Sequence, residues 1–224
     1  MSVKILERDS LPRGGFAGIE ETRLVVDKKL GGKDNTWDGL GQFVYLADAR
    51  YLPFGESKMH SHREVDVITV MLEGDLQHEG SMKHGRSLKA NEVQVQRAGG
   101  EGFSHNEINP AEFRCRLLQV WALPETEGER ADYKSYEIGL GELTQIYGDD
   151  HEWKTDTFSS STRIYVGRLT KGQSLSLPEN YMLYAVNGRA LVDDHLVKDG
   201  SLVQGNGGFL VVESDEIHLT IIEA

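Results

Sequence analysis

Cysteine is nearly absent: Cys115 is the single one among 224 residues. A lone thiol cannot close an intramolecular disulfide, which fits a reducing compartment. It sits in the alternating run Phe113-Arg114-Cys115-Arg116-Leu117 and reads as a buried structural thiol rather than a reactive one. No run of about 18 apolar residues occurs, so no membrane span is expected. The start, Met1 to Arg8, lacks the apolar core of a signal peptide, and the default compartment is the cytoplasm. Basic residues are outnumbered, 24 against 36 acidic, for a net charge of −12. That balance excludes a general nucleic-acid surface, which needs a basic footprint, but leaves a protein partner open. Because the acidic residues are spread along the chain, they read as a solubilising surface. Long helical periodicity is also missing. The best helix candidate is the short Gly141–Tyr147 stretch, which could equally be loop.

What is present is glycine, 25 residues, recurring between short runs of Val, Leu, Ile, Phe and Tyr. This is the pattern of many short strands joined by tight turns, an all-β sandwich or barrel. Residues 1–40 read as an N-terminal arm with one strand near Thr22–Val26. Strands are then expected at Phe43–Arg50, at Val65–Leu72 and at Glu92–Gln96, where apolar and polar residues alternate. Glu73-Gly74-Asp75 reads as a hairpin turn, and Ala98–Gly102 as a glycine-rich turn delivering Phe103–Glu107. Residues 124–155 are polar and read as a linker.

The second half looks like a degraded copy of the first. Val186–Val192 resembles Leu72–His78, Asp199–Val203 stands for Asn91–Val95, and His218–Ile222 stands for Arg116–Val120. Gly172–Leu177 falls where Gly55–His62 falls. Such a repeat suggests two β-barrels side by side. The expected domains are residues 1–123, a barrel with its N-terminal arm, then the 124–155 linker, then residues 156–224, a degenerate second barrel.

Two stretches of the first half carry chemistry. In a strand, residues i and i+2 share a face. His60 and His62 therefore aim at one point, and so do His105 and Glu107. Three imidazoles and a carboxylate suit a divalent first-row metal and leave positions open for substrate or oxygen. A lone His-x-His is a weak signal, equally able to serve packing or a polar rim. The second pair, delivered by a glycine-rich turn, supplies the missing ligands. In the degraded copy, Leu175-Ser176-Leu177 replaces the His-x-His. His78, His84, His151, His195 and His218 have no partner motif and read as non-ligands. Asp66 would either hydrogen-bond a ligand histidine from behind or pair with Arg63 or Arg97. Trp37, Trp121 and Trp153 read as packing residues, and Phe103 and Met71 as core or pocket mouth.

These residues resemble the cupin superfamily and, within it, the pirin-like proteins. The resemblance is carried by His60-Ser61-His62-Arg63, by Asp66, Thr69 and Leu72-Glu73-Gly74, and by Ala98 to Glu107. The pirin-like pattern reads roughly HxHRGFET-x-T-x-x-LEG, then AGxGxxHxE. The match covers residues 55–121 well and the rest by architecture. Here Asp66 stands for the pattern's glutamate, Glu64-Val65 for Gly-Phe, and Lys89–Glu92 for its Arg-Pro-Gly-Asp turn. The resemblance implies two cupin barrels packed together, jelly-roll-like double-stranded β-helices, with His60, His62, His105 and Glu107 as metal ligands. It also implies Fe(II) as the usual metal; Mn, Ni, Co, Cu and Zn are the alternatives.

Some pirin-like proteins show quercetin 2,3-dioxygenase activity, and vertebrate members act as iron-dependent transcriptional co-regulators. The leading expectation is a metal-dependent dioxygenase. It would act on a flavonol-like or related aromatic enol with O2, with Glu107 as the catalytic base. The second is a non-enzymatic metal-binding regulator acting through a protein partner. A cupin isomerase or hydrolase using another metal is the third.

Overall fold

The computed structural model describes residues 3–33, 35–82, 85–149 and 156–224. His84, His151 and Trp153 lie outside the described residues. Strands run in chain order as β1 (Lys4–Glu7), β2 (Gly14–Phe16), β3 (Ile19–Val26), β4 (Phe43–Tyr51), β5 (His60–His62), β6 (Asp66–Glu73) and β7 (Asp75–Gly80). Next come β8 (Arg86–Lys89), β9 (Glu92–Arg97), β10 (Phe103–Ile108), β11 (Cys115–Ala122), β12 (Asp132–Glu137), β13 (Glu142–Tyr147) and β14 (Arg163–Thr170). The last are β15 (Ser174–Ser176), β16 (Tyr181–Val186), β17 (Arg189–Val192), β18 (His195–Lys198), β19 (Ser201–Gly205), β20 (Phe209–Val212) and β21 (Glu216–Glu223). Among the described residues, no helix is long and apolar enough to cross a membrane.

The chain divides into two compact units, Leu11–Glu137 and Met1–Ser10 with Ile138–Ala224. Each has two antiparallel sheets. In the first unit the orders are β12-β9-β6-β11-β4-β3-β2 and β5-β10-β7-β8; in the second they are β1-β19-β16-β21-β14-β13 and β15-β20-β17-β18. Strands β4 to β11 and β14 to β21 thus follow the same neighbour order, which is the internal repeat in three dimensions.

Three expectations change. The N-terminal segment does not complete the first barrel: β1 pairs with β19 of the second unit, Lys4 opposite Gln204. The 124–155 stretch is not a plain linker. Its alternating Asp132–Glu137 segment closes the β9 edge of the first unit, and Glu142–Tyr147 closes the β14 edge of the second. The helix candidate 141–147 is therefore a strand. Its Gln145-Ile146-Tyr147 end is buried, and an edge in need of pairing outweighed a weak local preference.

The two interiors differ. The second unit is filled by aliphatic and aromatic side chains, among them Leu169, Leu183, Val203, Leu210, Leu219 and Ile221, all buried. In the first, the same kind of wall is broken on β4, where Tyr45, Ala47, Ala49 and Tyr51 share a face. Two alanines between two tyrosines leave room, and a cavity of about 510 Å³ opens there.

Candidate metal site

Strand pairing makes the site. Strand β10 lies between β5 and β7, with His105 opposite His60, Phe103 opposite His62, and Glu107 opposite His78. Two backbone features aim the strands. Gly102 enters β10 at φ +74, and a Cβ there would meet the His62 carbonyl oxygen at 2.8 Å, so the turn needs glycine. Lys58 has φ +63. Its carbonyl accepts a hydrogen bond from His60 Nδ1 at 2.8 Å, which leaves His60 Nε2 free of that proton.

The three histidines converge through Nε2. His105 Nε2 lies 3.2 Å from His62 Nε2 and 3.1 Å from His60 Nε2. Their ligand atoms all lie within 4.8 Å of one another. One ring nitrogen offers a single proton or a single lone pair, so three such atoms cannot satisfy one another by hydrogen bonding. A cation among them satisfies all three, and metal–nitrogen bonds of about 2.1 Å put neighbouring ligand atoms about 3 Å apart. Burial, with the His60 charge second, lowers His62 to about 4. Burial and the other histidines lower His105 to about 2. Both imidazoles are therefore neutral near pH 7, the form that ligates metals. The donors present fit a divalent first-row ion.

Glu107 is next to this cluster but not within it. It is buried, and its carboxylate is held by three donors: Tyr51 Oη on Oε2 at 2.9 Å, and Thr69 Oγ1 and Gln94 Nε2 on Oε1 at 3.0 and 2.9 Å. Burial raises its pKa, and the hydrogen bonds from Tyr51 and Thr69 oppose that rise. Of these three holders, Thr69 belongs to the motif. Tyr51 and Gln94 carried no signal, because they reach Glu107 from strands distant in sequence.

Other expected residues are placed as follows. Asp66 is fully buried, and its Oδ2 accepts from Arg97 Nε and Nη2 at 3.3 and 3.2 Å, the ion-pair reading. What lies behind His105 is His78, whose Nε2 is 3.3 Å from His105 Nδ1. His78 has no motif of its own, and only β7–β10 pairing reveals it. Phe103 packs in a core cluster with Val65, Val67 and Ala98, and its ring lies 5.1 Å from His105. Met71 is also core. Neither is at the pocket mouth. Trp121, expected to be packing, stacks on Tyr45 with ring centroids 4.5 Å apart and forms part of the cavity wall. Cys115 is buried, and burial pushes its thiol up to about 11, as suits an inert group. His218 meets Glu216 at 3.0 Å, and His195 is exposed on β18.

The cavity runs from His60, His62 and Glu107 past Tyr51, Leu117 and Gln119 to Trp121 and Tyr45, and includes the exposed Phe16 and Leu30. On its β3 side, Glu21 accepts from Arg23 Nε at 2.6 Å and from the Tyr45 hydroxyl at 3.2 Å. Its size falls within the range of small-molecule sites, about 300–1,000 Å³.

The fold, two units of antiparallel sheets with the same strand order and a histidine cluster in the first, is that of solved bacterial pirin structures. Residues 29–122 match the Pirin family model. The chain is similar to the nickel(II) complex of the bacterial pirin YhhW from Escherichia coli, with TM-score 0.84 and 17% identity over 98% of both chains. It is similar also to a quercetin 2,3-dioxygenase structure from Acinetobacter baumannii, with TM-score 0.76 and 21% identity over 98% of this chain and 85% of that one. At these identities the likeness speaks for the fold. In sequence, 76 residues are 36% identical to quercetin 2,3-dioxygenase of Escherichia coli K12, covering 34% of this chain and 32% of that protein. The first curated relatives are matched over about a third of their length.

Proposed function

We propose that the first barrel holds a divalent first-row metal on His60, His62 and His105, with Glu107 completing the donor set. We further propose that the protein is a dioxygenase of flavonol-like or related aromatic enol substrates. The observation that carries the reading is the convergence of three Nε2 atoms beside an open, partly aromatic cavity. Fe(II) is the leading metal on the family resemblance, and nickel is supported by the structural neighbour that is a nickel(II) complex. A bound ion would act as a Lewis acid that lowers the pKa of a coordinated substrate hydroxyl.

The chain supplies the rest. Tyr45 and Trp121 give a flat aromatic wall, suited to a planar ring system. Neutral His62 and His105 keep their lone pairs for the ion. Glu107 would serve as the base when released from the ion, accepting the substrate hydroxyl proton on its carboxylate, which Tyr51, Thr69 and Gln94 hold beside the site. The size of the cavity favours an enzyme over a regulator, whose site would need no room beyond water.

Oxygen uptake with quercetin tests the activity, using metal-loaded wild-type protein and the His62→Ala variant. Uptake by the first and not the second is expected. No uptake with any first-row metal would sink the dioxygenase reading and leave the metal-binding regulator.

A further inference from the structure

The His105 ring has two nitrogens with different tasks. Nε2 faces His60 and His62, and Nδ1 faces His78 Nε2 at 3.3 Å. His78 Nε2 is also met by Gln96 Nε2 at 3.0 Å. His78, Gln96 and His105 are all buried, at 2, 0 and 1% exposure, so water does not set these protons.

An amide nitrogen only donates. With Gln96 Nε2 pointing at it, His78 Nε2 must present its lone pair. A bare His105 Nδ1 would set its own lone pair against that of His78 at 3.3 Å, a repulsive contact, so the His105 proton sits on Nδ1, sharing the His78 lone pair with the Gln96 N–H, and His105 Nε2 is bare. The opposite amide orientation reverses the chain. Gln96 Oε1 and a bare His105 Nδ1 would share the single His78 Nε2–H, and the His105 proton would move to Nε2, where it blocks ligation.

The second unit serves as an internal control. Thr69 pairs with Gln94 and Gln119, and Leu183 pairs with Val203 and Ile221. Following these registers, Gln96 corresponds to Gly205 and, through the Gly74 and Gly188 hairpins, His78 to Val192. The barrel without the histidine cluster lacks both residues.

We infer that Gln96 and His78 form a positioning relay that fixes the Nδ1–H tautomer of His105 and so makes its Nε2 a metal ligand. The inference rests on the proposed metal site. Hydrogen-bond partners of ligand histidines are commonly worth 10- to 100-fold in metal affinity. His78→Leu, which has no acceptor, should weaken Ni(II) or Fe(II) binding by about 10- to 100-fold in a chelator competition. His78→Gln, which keeps an acceptor, should restore most of it. Gln96→Glu is the sharper variant. Its carboxylate only accepts, so it should reverse the relay and weaken the metal, although a negative charge alone would strengthen it.

The ring-nitrogen NMR shifts of His105 in metal-free wild-type protein above pH 7 need no variant, and Nδ1–H is expected. A proton on His105 Nε2 there, unchanged affinity in folded His78→Leu, or tighter binding by Gln96→Glu would each overturn the relay. Wild-type protein that binds neither metal would instead sink the metal site, and the tautomer reading would still decide the relay.

Discussion

The two units share a topology and differ in what fills it. In the first, Glu107 is held by Tyr51, Thr69 and Gln94. By strand register, these four correspond to Leu210, Leu169, Leu183 and Val203 in the second, all buried in its core. Ala47, opposite Gln119, corresponds to Tyr165, opposite Ile221. One barrel thus gives up packing for a cavity and a buried carboxylate network; the other is closed with apolar side chains. The difference teaches that a buried polar network is retained or lost as a unit. Removing one member leaves a charge short of donors, whereas replacing all members with aliphatics leaves nothing unsatisfied.

The largest expected effect tests whether chemistry is confined to one barrel. His62→Ala and His105→Ala should each reduce bound metal from near stoichiometric to a small fraction, read by elemental analysis of purified protein. Leu210→Ala should leave metal content unchanged. Next in size is the core of the second barrel. Leu183→Ala deletes a fully buried side chain and should cost about 2–5 kcal/mol in urea denaturation, again without changing metal binding.

The network is the third test. Gln94→Leu strips one donor from Glu107 Oε1 and should cost about 1–3 kcal/mol. Carrying the second barrel's residues across, with Glu107→Leu, Tyr51→Leu, Thr69→Leu and Gln94→Val together, should recover much of that stability. A quadruple variant less stable than Gln94→Leu would break the comparison.

The last effect is pH dependence in the metal-free protein. Burial lowers His62 to about 4 and His105 to about 2, from 6.5. As pH falls, the unfolded chain takes up these protons first. Stability from the neutral rings is therefore complete above pH 6.5 and is lost as pH falls through 6.5 towards 4 and below. Urea midpoints at pH 7.5, 6 and 5 should decline in that order, and His62→Leu should decline less steeply. An equal slope in the two proteins would remove His62 from the account.

Much of this was legible in the chain. Glycine-punctuated apolar runs determined an all-β architecture, and the repeat of Leu72–His78 in Val186–Val192 marked two related halves. The His-x-His and His-x-Glu spacings put pairs of side chains on one strand face, because alternation is a local property of extended backbone. The three histidines accordingly meet where strand periodicity aimed them.

Tertiary structure decided the rest. Whether β1 closes the first barrel or the second depends on which β-edge lacks a partner, and no local pattern encodes that. Glu142–Tyr147 became a strand for the same reason. Tyr51 and Gln94 on Glu107, and His78 with Gln96 behind His105, arise from register between strands far apart in sequence. Side-chain type and spacing are written locally. Which groups share a proton, a donor or a cavity is settled only when long-range pairing brings them together.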